Sequence, residues 1–293
     1  MKPPPFGYEA AGSLDQALDL LAQHGGDAKI LAGGQSLIPV MNFRLARPAV
    51  LVDLNPVSAL DFVRETGDGT LTVGALTRQR TLERDPAVAR LQPLLAETAS
   101  WIAHPQIRNR GTVGGSLAHA DPAAELPAVA LALEARFRLQ AQDGSRELAA
   151  SDFYTGLFAT ALKPHEILTE ITFPALPPRT GCAFDEIARR HGDYAQAGAA
   201  AVVTLAEDGT LERVRLAFLS LGDGPVLASK IATRLEGETP SEDLFADTAA
   251  QVSDATYDEI DPTGDIHATA AYKRHLAGVL TRRVLTRAAE RAR

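Results

Sequence analysis

Two glycine-rich segments carry the residues best suited to chemistry: Ala32-Gly33-Gly34-Gln35-Ser36-Leu37 and Arg108-Asn109-Arg110-Gly111-Thr112-Val113-Gly114-Gly115-Ser116. Glycines leave backbone N–H groups with no side chain in front of them, and a run of such donors suits the oxygens of a diphosphate. Ser36, Thr112 and Ser116 add hydroxyl donors, so negative charge is expected to be met by neutral groups rather than by Lys or Arg. Neither segment has the spacing of a dinucleotide fingerprint or the Gly-Lys-Ser/Thr ending of a P-loop. Taken singly, each reads better as an ordinary tight turn.

Little else in the chain points to chemistry. Cys182 is the only cysteine, so no disulfide forms within the chain and no four-thiolate iron–sulfur cluster can be held by it. The histidines, at 24, 104, 119, 165, 191, 267 and 275, are too scattered to read as a zinc set, and no metal ligands are expected. A formal charge of −8 counts against a nucleic-acid partner. The most basic stretch, from Arg282 to Arg293, reads as the solvated face of a helix. No apolar run approaches the roughly 20 residues of a membrane span. Met1-Lys2-Pro3-Pro4-Pro5 lacks the apolar core of a signal peptide, so a cytoplasmic protein is expected.

The elements that must position the glycine segments are legible in outline. At 293 residues the chain is expected to form two or three packed subdomains. Ser13-Leu14-Asp15-Gln16 is a capping box, and the apolar spacing after it predicts a helix over 14–24, stopped by Gly25-Gly26. A strand over 29–32 then runs into the first glycine segment, with a helix after it. Further strands are expected at 51–54 and 71–74, a helix over 81–103, and a helix opened by Pro127 and running to about 133. Asp143-Gly144 marks a hairpin between strands over 137–142 and 146–149. A strand over 166–173 precedes Pro174, Pro177 and Pro178, which place a domain boundary near 176. Strands over 183–190, 198–206 and 211–219 and helices over 241–252 and 268–290 follow.

Read together with Arg189-Arg190-His191-Gly192-Asp193-Tyr194-Ala195, the two glycine segments resemble those of the medium, FAD-binding subunit of the carbon monoxide dehydrogenase and xanthine dehydrogenase family of molybdenum hydroxylases. The resemblance runs over essentially the whole chain. It implies an α+β protein with a vanillyl-alcohol-oxidase-type (PCMH-like) FAD-binding fold. Two α/β subdomains, 1–57 and 58–175, would hold FAD between them, and a C-terminal α/β domain, 176–293, would close over one side. By position it assigns cofactor contacts to Ala32, Gly33, Gly34, Gln35, Ser36 and Leu37, and to Gly111, Thr112, Gly114, Gly115 and Ser116. Glu125 falls where relatives place an acid that accepts from a cofactor hydroxyl, though a first-turn helix carboxylate is an equal reading. Ile102 falls where an aromatic residue packs on adenine, and Leu168 where an aliphatic one touches the flavin; either also reads as core. One departure stands out: a lysine found after the aromatic in many relatives has no counterpart beside Phe184, where Asp185 and Glu186 stand.

The resemblance also implies the work of the chain. FAD can take electrons singly and release a pair, so no catalytic residue is assigned. The molybdenum cofactor would sit on a large subunit and two [2Fe–2S] clusters on a small one. This chain would pass electrons from those clusters through FAD to an external acceptor, in a dimer of heterotrimers. The alternative is a self-sufficient flavin oxidoreductase of the same fold, with His191 or Tyr194 as acid or base; a third reading is a bridging scaffold that has lost its flavin. The benzoyl-CoA type of reductase, which needs further cysteines, is excluded by the single Cys182.

Overall fold

The computed structural model describes residues 1–293, and three larger sheets organise it, beside a two-stranded ribbon of Tyr154–Gly156 and Ala159–Thr160. The first is parallel: Val50–Asp53 lies between Gly7–Ala10 and Ala28–Leu31, with the helix Leu14–His24 packed against it. Ser13 caps that helix through Gln16 N, as the capping box predicts. The second is antiparallel, in the order Val63–Glu65, Leu71–Gly74, Ile167–Phe173, Arg136–Ala141, Gly144–Ala149. Helices from residues 79–132 cover it.

The third sheet, also antiparallel, runs Thr180–Ile187, Ala197–Leu205, Leu211–Leu219, Val226–Leu227. Its two faces serve different cores. Cys182, Phe184, Ala200, Val202, Ala217 and Leu219 join the apolar cluster of the second sheet. Ala183, Ala199, Ala201, Val203, Leu216 and Phe218 pack instead with the helices Glu242–Ser253 and Ala270–Arg291. The period of two along a strand produces this division, since neighbouring side chains leave opposite faces. The first sheet keeps a smaller core of its own.

Several expectations needed correction. The helix over 81–103 is three short helices, Gln79–Arg84, Pro86–Leu91 and Pro93–Ala99, because Pro86 and Pro93 cannot continue the turn before them and each opens a new one. The helix assigned to Pro127 begins at Glu125, and Pro127 sits in its first turn, where a missing N–H costs nothing. The strand over 183–190 is shifted to Thr180–Ile187, leaving Arg189 and Arg190 in the following turn. The second glycine segment, read as a turn, contains a helix, Val113–His119.

Candidate functional site

The first glycine segment leaves the carboxyl end of the parallel strand Ala28–Leu31, where α/β sheets open toward ligands. Gly34 has φ +72°, a region that side chains rarely enter. The turn then feeds the short helix Leu37–Asn42. The Ser36 side chain makes no capping bond to that helix. The amides of Gly33, Gly34, Gln35 and Ser36 donate to no group in the chain. Four successive free N–H groups around a left-handed residue form a concave cradle for anionic oxygens.

The second segment spends its amides differently. Gly111 N bonds to Ile107 O at 2.7 Å, Val113 N to Thr77 O at 2.9 Å and Gly114 N to Ala75 O at 2.8 Å. Gly115 N donates to the Thr112 hydroxyl, which caps the helix Val113–His119, at 3.1 Å. Within this run only the Thr112 amide lacks a partner. Its glycines are there for close approach: a Cβ on Gly114 would stand 2.5 Å from the Ala75 Cβ, and one on Gly111 2.4 Å from the Gln79 Oε1. The expectation of equal donor turns is corrected by these bonds. One segment offers donors, while the other is fastened to residues 75–79.

The two segments touch. A Cβ on Gly33 would lie 2.5 Å from Arg110 O and 2.8 Å from the Gly111 Cα, and one on Gly115 would lie 3.5 Å from the Ala32 Cβ. A clamp that sequence reasoning missed fixes this contact. Asn55 Nδ2 donates to Ala32 O at 2.8 Å, while Arg78 donates to Asn55 Oδ1 at 2.7 Å and to Arg110 O at 2.6 Å. Asp53 holds the Asn55 amide at 2.8 Å and accepts from the Tyr8 hydroxyl at 2.5 Å. A cleft of about 500 Å³ opens here, with Gly33, Gly34 and Gln35 on one side and Tyr8, Asn55 and Arg110 on others. Arg110 therefore brings a cation to a rim that was expected to be neutral.

The remaining assigned positions lie away from this cleft. Ile102 and Leu168 are 6% and 5% exposed and belong to one apolar cluster. Arg108 holds the Ile102 end in place, accepted by Ile102 O at 2.8 Å while Glu83 Oε2 takes its Nε at 2.9 Å. At Leu168 the ladder to Arg136–Ala141 slips register, a bulge of the kind that re-aims a side chain. Glu125 starts the helix Glu125–Ala132, whose far end is pinned when Arg215 donates to Ala132 O at 3.0 Å and to Leu131 O at 2.6 Å. The Glu125 carboxyl is pushed up, first by burial and then by Asp121, against the pull of Arg108.

The arrangement agrees with what the chain resembles. Residues 4–176 match the family described as FAD binding domain in molybdopterin dehydrogenase, and residues 182–288 match the CO dehydrogenase flavoprotein C-terminal domain. Subunit alpha of the 6-hydroxypseudooxynicotine dehydrogenase complex of Paenarthrobacter nicotinovorans is 44% identical over 293 residues, covering 100% of this chain and 97% of the relative. The carbon monoxide dehydrogenase medium chain of Hydrogenophaga pseudoflava is 39% identical over 98% of each chain. The solved structure of carbon monoxide dehydrogenase from that organism superposes with a TM-score of 0.94 at 38% identity, over 99% of each chain. With matching family sequence along nearly its whole length, and a free-amide cradle clamped against a second glycine segment, the chain belongs to the FAD-binding, medium-subunit family of the molybdopterin dehydrogenases.

Proposed function

We propose that this chain holds FAD between a cluster-bearing partner and an external electron acceptor, as the electron-transfer subunit of a molybdenum-containing dehydrogenase. The observation that carries the reading is the row of unpartnered amides from Gly33 to Ser36. A diphosphate supplies the acceptors these donors lack, and Gly34, at positive φ, puts no side chain in its way. The residues present thus fit the pyrophosphate of FAD. Gln35 and the Ser36 hydroxyl would border it, Thr112 and Ser116 would be the second segment's contribution, and Gly111, Gly114 and Gly115 keep that segment close. Glu125, Ile102 and Leu168 would take the more distant parts of an extended cofactor. Bound FAD supplies the ability to take electrons one at a time and to give them up as a pair.

Cys182, the single cysteine, is buried, and burial pushes its thiol up to about 11, so it is protonated at neutral pH; one thiol cannot by itself hold a [2Fe–2S] cluster. The [2Fe–2S] clusters therefore belong to a small subunit and the molybdenum cofactor to a large one, in a dimer of heterotrimers. Relatives described as a complex subunit and as a medium chain support that assembly. The division into 1–57, 58–175 and 176–293 is supported by the three sheets, each with its own run of chain. No helix is long and apolar enough to cross a membrane, in keeping with a cytoplasmic location.

Purification of the native complex tests the reading through its visible spectrum and metal content. Flavin and iron in one complex, with acid precipitation releasing the flavin to the supernatant, is the expected result. A chain that is isolated alone and is reduced by an organic substrate without partners would replace it with a self-sufficient oxidoreductase.

A further inference from the structure

Six buried side-chain polar atoms have no hydrogen-bond partner in the chain, and one of them is a carboxyl oxygen. Glu186 is 5% exposed and its Oε2 makes no hydrogen bond. It stands on the strand Thr180–Ile187 opposite Gly198, which in turn pairs with Leu219; a Cβ on Gly198 would lie 3.1 Å from the Glu186 Cβ and 2.5 Å from the Leu219 Cδ2. By strand alternation it shares the face of Cys182 and Phe184, which looks toward the second sheet. The segment that follows the second glycine helix meets the third sheet at this end: Ser220 N donates to Pro122 O at 2.8 Å, and the Ser220 hydroxyl donates to Ala195 O at 2.7 Å. Glu186 thus sits at the junction of the two halves of the chain, beside Glu125.

The charges that act on it are both acidic. Glu125, from the helix Glu125–Ala132, and Asp185, from its own strand, both disfavour a second negative charge there, and burial disfavours it most. Asp121 and Tyr194 lie by Glu125. The cations of the neighbourhood are committed elsewhere. Arg287 and Arg283 reach Asp185 at 3.1 and 3.7 Å, on the opposite face of the strand, and Arg108 is held by Glu83 at 2.9 Å. His191 packs edge-on against Trp101. Adjacent residues of one strand have therefore parted: Asp185 pairs with arginines, and Glu186 has no ion-pair partner.

From this placement, and resting on the FAD reading above, we infer that Glu186 is a positioning residue that works as an uncharged acid, donating a hydrogen bond from Oε2 to an acceptor of the bound FAD, a carbonyl oxygen or a ring nitrogen. A buried oxygen without a partner is costly in a finished protein, and the cofactor completes it. A lysine or an ionised carboxylate at the same point would present a full charge to the cofactor. The acid presents a directed neutral donor.

The test is FAD affinity of the full chain, read by flavin fluorescence from acid to alkaline pH, for the parent, Glu186→Gln and Glu186→Ala. In the parent the dissociation constant should rise about tenfold per pH unit once Glu186 ionises, above neutral pH. Glu186→Gln, which keeps an N–H donor that cannot ionise, should stay within about threefold of the parent at neutral pH and lose the alkaline rise. Glu186→Ala should weaken binding at least tenfold at neutral pH (about 1.4 kcal/mol) with the apoprotein still folded. Glu125→Gln removes the neighbouring charge, so the alkaline midpoint should move to lower pH. Parallel pH curves for the parent and Glu186→Gln overturn the inference, as does Glu186→Ala binding as tightly as the parent. If Glu186→Gln does not fold, an unmoved midpoint in Glu125→Gln overturns it equally. Absence of FAD binding by the parent at every pH would sink the flavin reading as well, whereas normal binding with unchanged curves sinks this inference alone.

Discussion

The first and second glycine segments have similar composition and opposite duties. Around Gly34 the backbone amides are left free, and the glycine serves its own φ of +72°. Around Gly114 the amides are bonded to Ala75 and Thr77, and the glycine serves its neighbour, which leaves no room for a Cβ. A glycine-rich stretch can thus be a binding surface or the support behind one. The deciding quantity is where its N–H groups go.

Substitutions can break this comparison. The largest effect on the apoprotein is expected for Gly114→Val. Its Cβ would meet Ala75 Cα at 2.8 Å and Ala75 O at 2.9 Å, atoms of the backbone that cannot rotate away. A loss of about 3 kcal/mol in a denaturant melt is expected, and a parent-like melt would show that the second segment is not a support. Gly34→Val should cost the apoprotein only about 1–2 kcal/mol, the strain of a left-handed side chain. Its FAD affinity should fall by more than that strain accounts for; equal losses in the melt and in a flavin titration would make the first segment a plain turn. Gly115→Val lies between the two, since its Cβ meets the Thr112 Oγ1 at 2.5 Å and the Ala32 Cβ at 3.5 Å. Both readouts should move, and FAD binding as tight as the parent's would remove the second segment from the cradle. Smallest is Thr112→Ala, which deletes the helix cap at a cost of about 1 kcal/mol. A helix that melts as the parent's does would show that Gly115 N finds another acceptor.

Much of the fold could be read locally because its signals are local. Ser13 and Gln16 define a helix start within four residues, and Gly67-Asp68-Gly69 sits between Val63–Glu65 and Leu71–Gly74, which it joins. The helix expected over 81–103 shows the limit: its apolar spacing was sound, but Pro86 and Pro93 override the pattern. The site was half legible. The motif residues stand out by type, whereas Tyr8, Asn55, Arg78 and Arg110 are ordinary residues whose meaning is their meeting point. Asn55 left one usable signal, since it follows the carboxyl end of the strand Val50–Asp53. Nothing near Gly114 in sequence reveals Ala75, so support could not be told from surface. In the sequence Glu186 stands out only as a departure from relatives, because its isolation depends on which face of a strand it occupies.

The two faces of the third sheet bear on how the chain can be divided for expression. The proline-marked linker separates the two family matches, yet Phe184, Val202 and Leu219 on its far side complete the same apolar cluster as Phe137, Leu95 and Phe173 on its near side. A fragment ending at the linker would turn that cluster into an open apolar patch and tend to self-associate. The chain is two units in its sequence and one in its solubility.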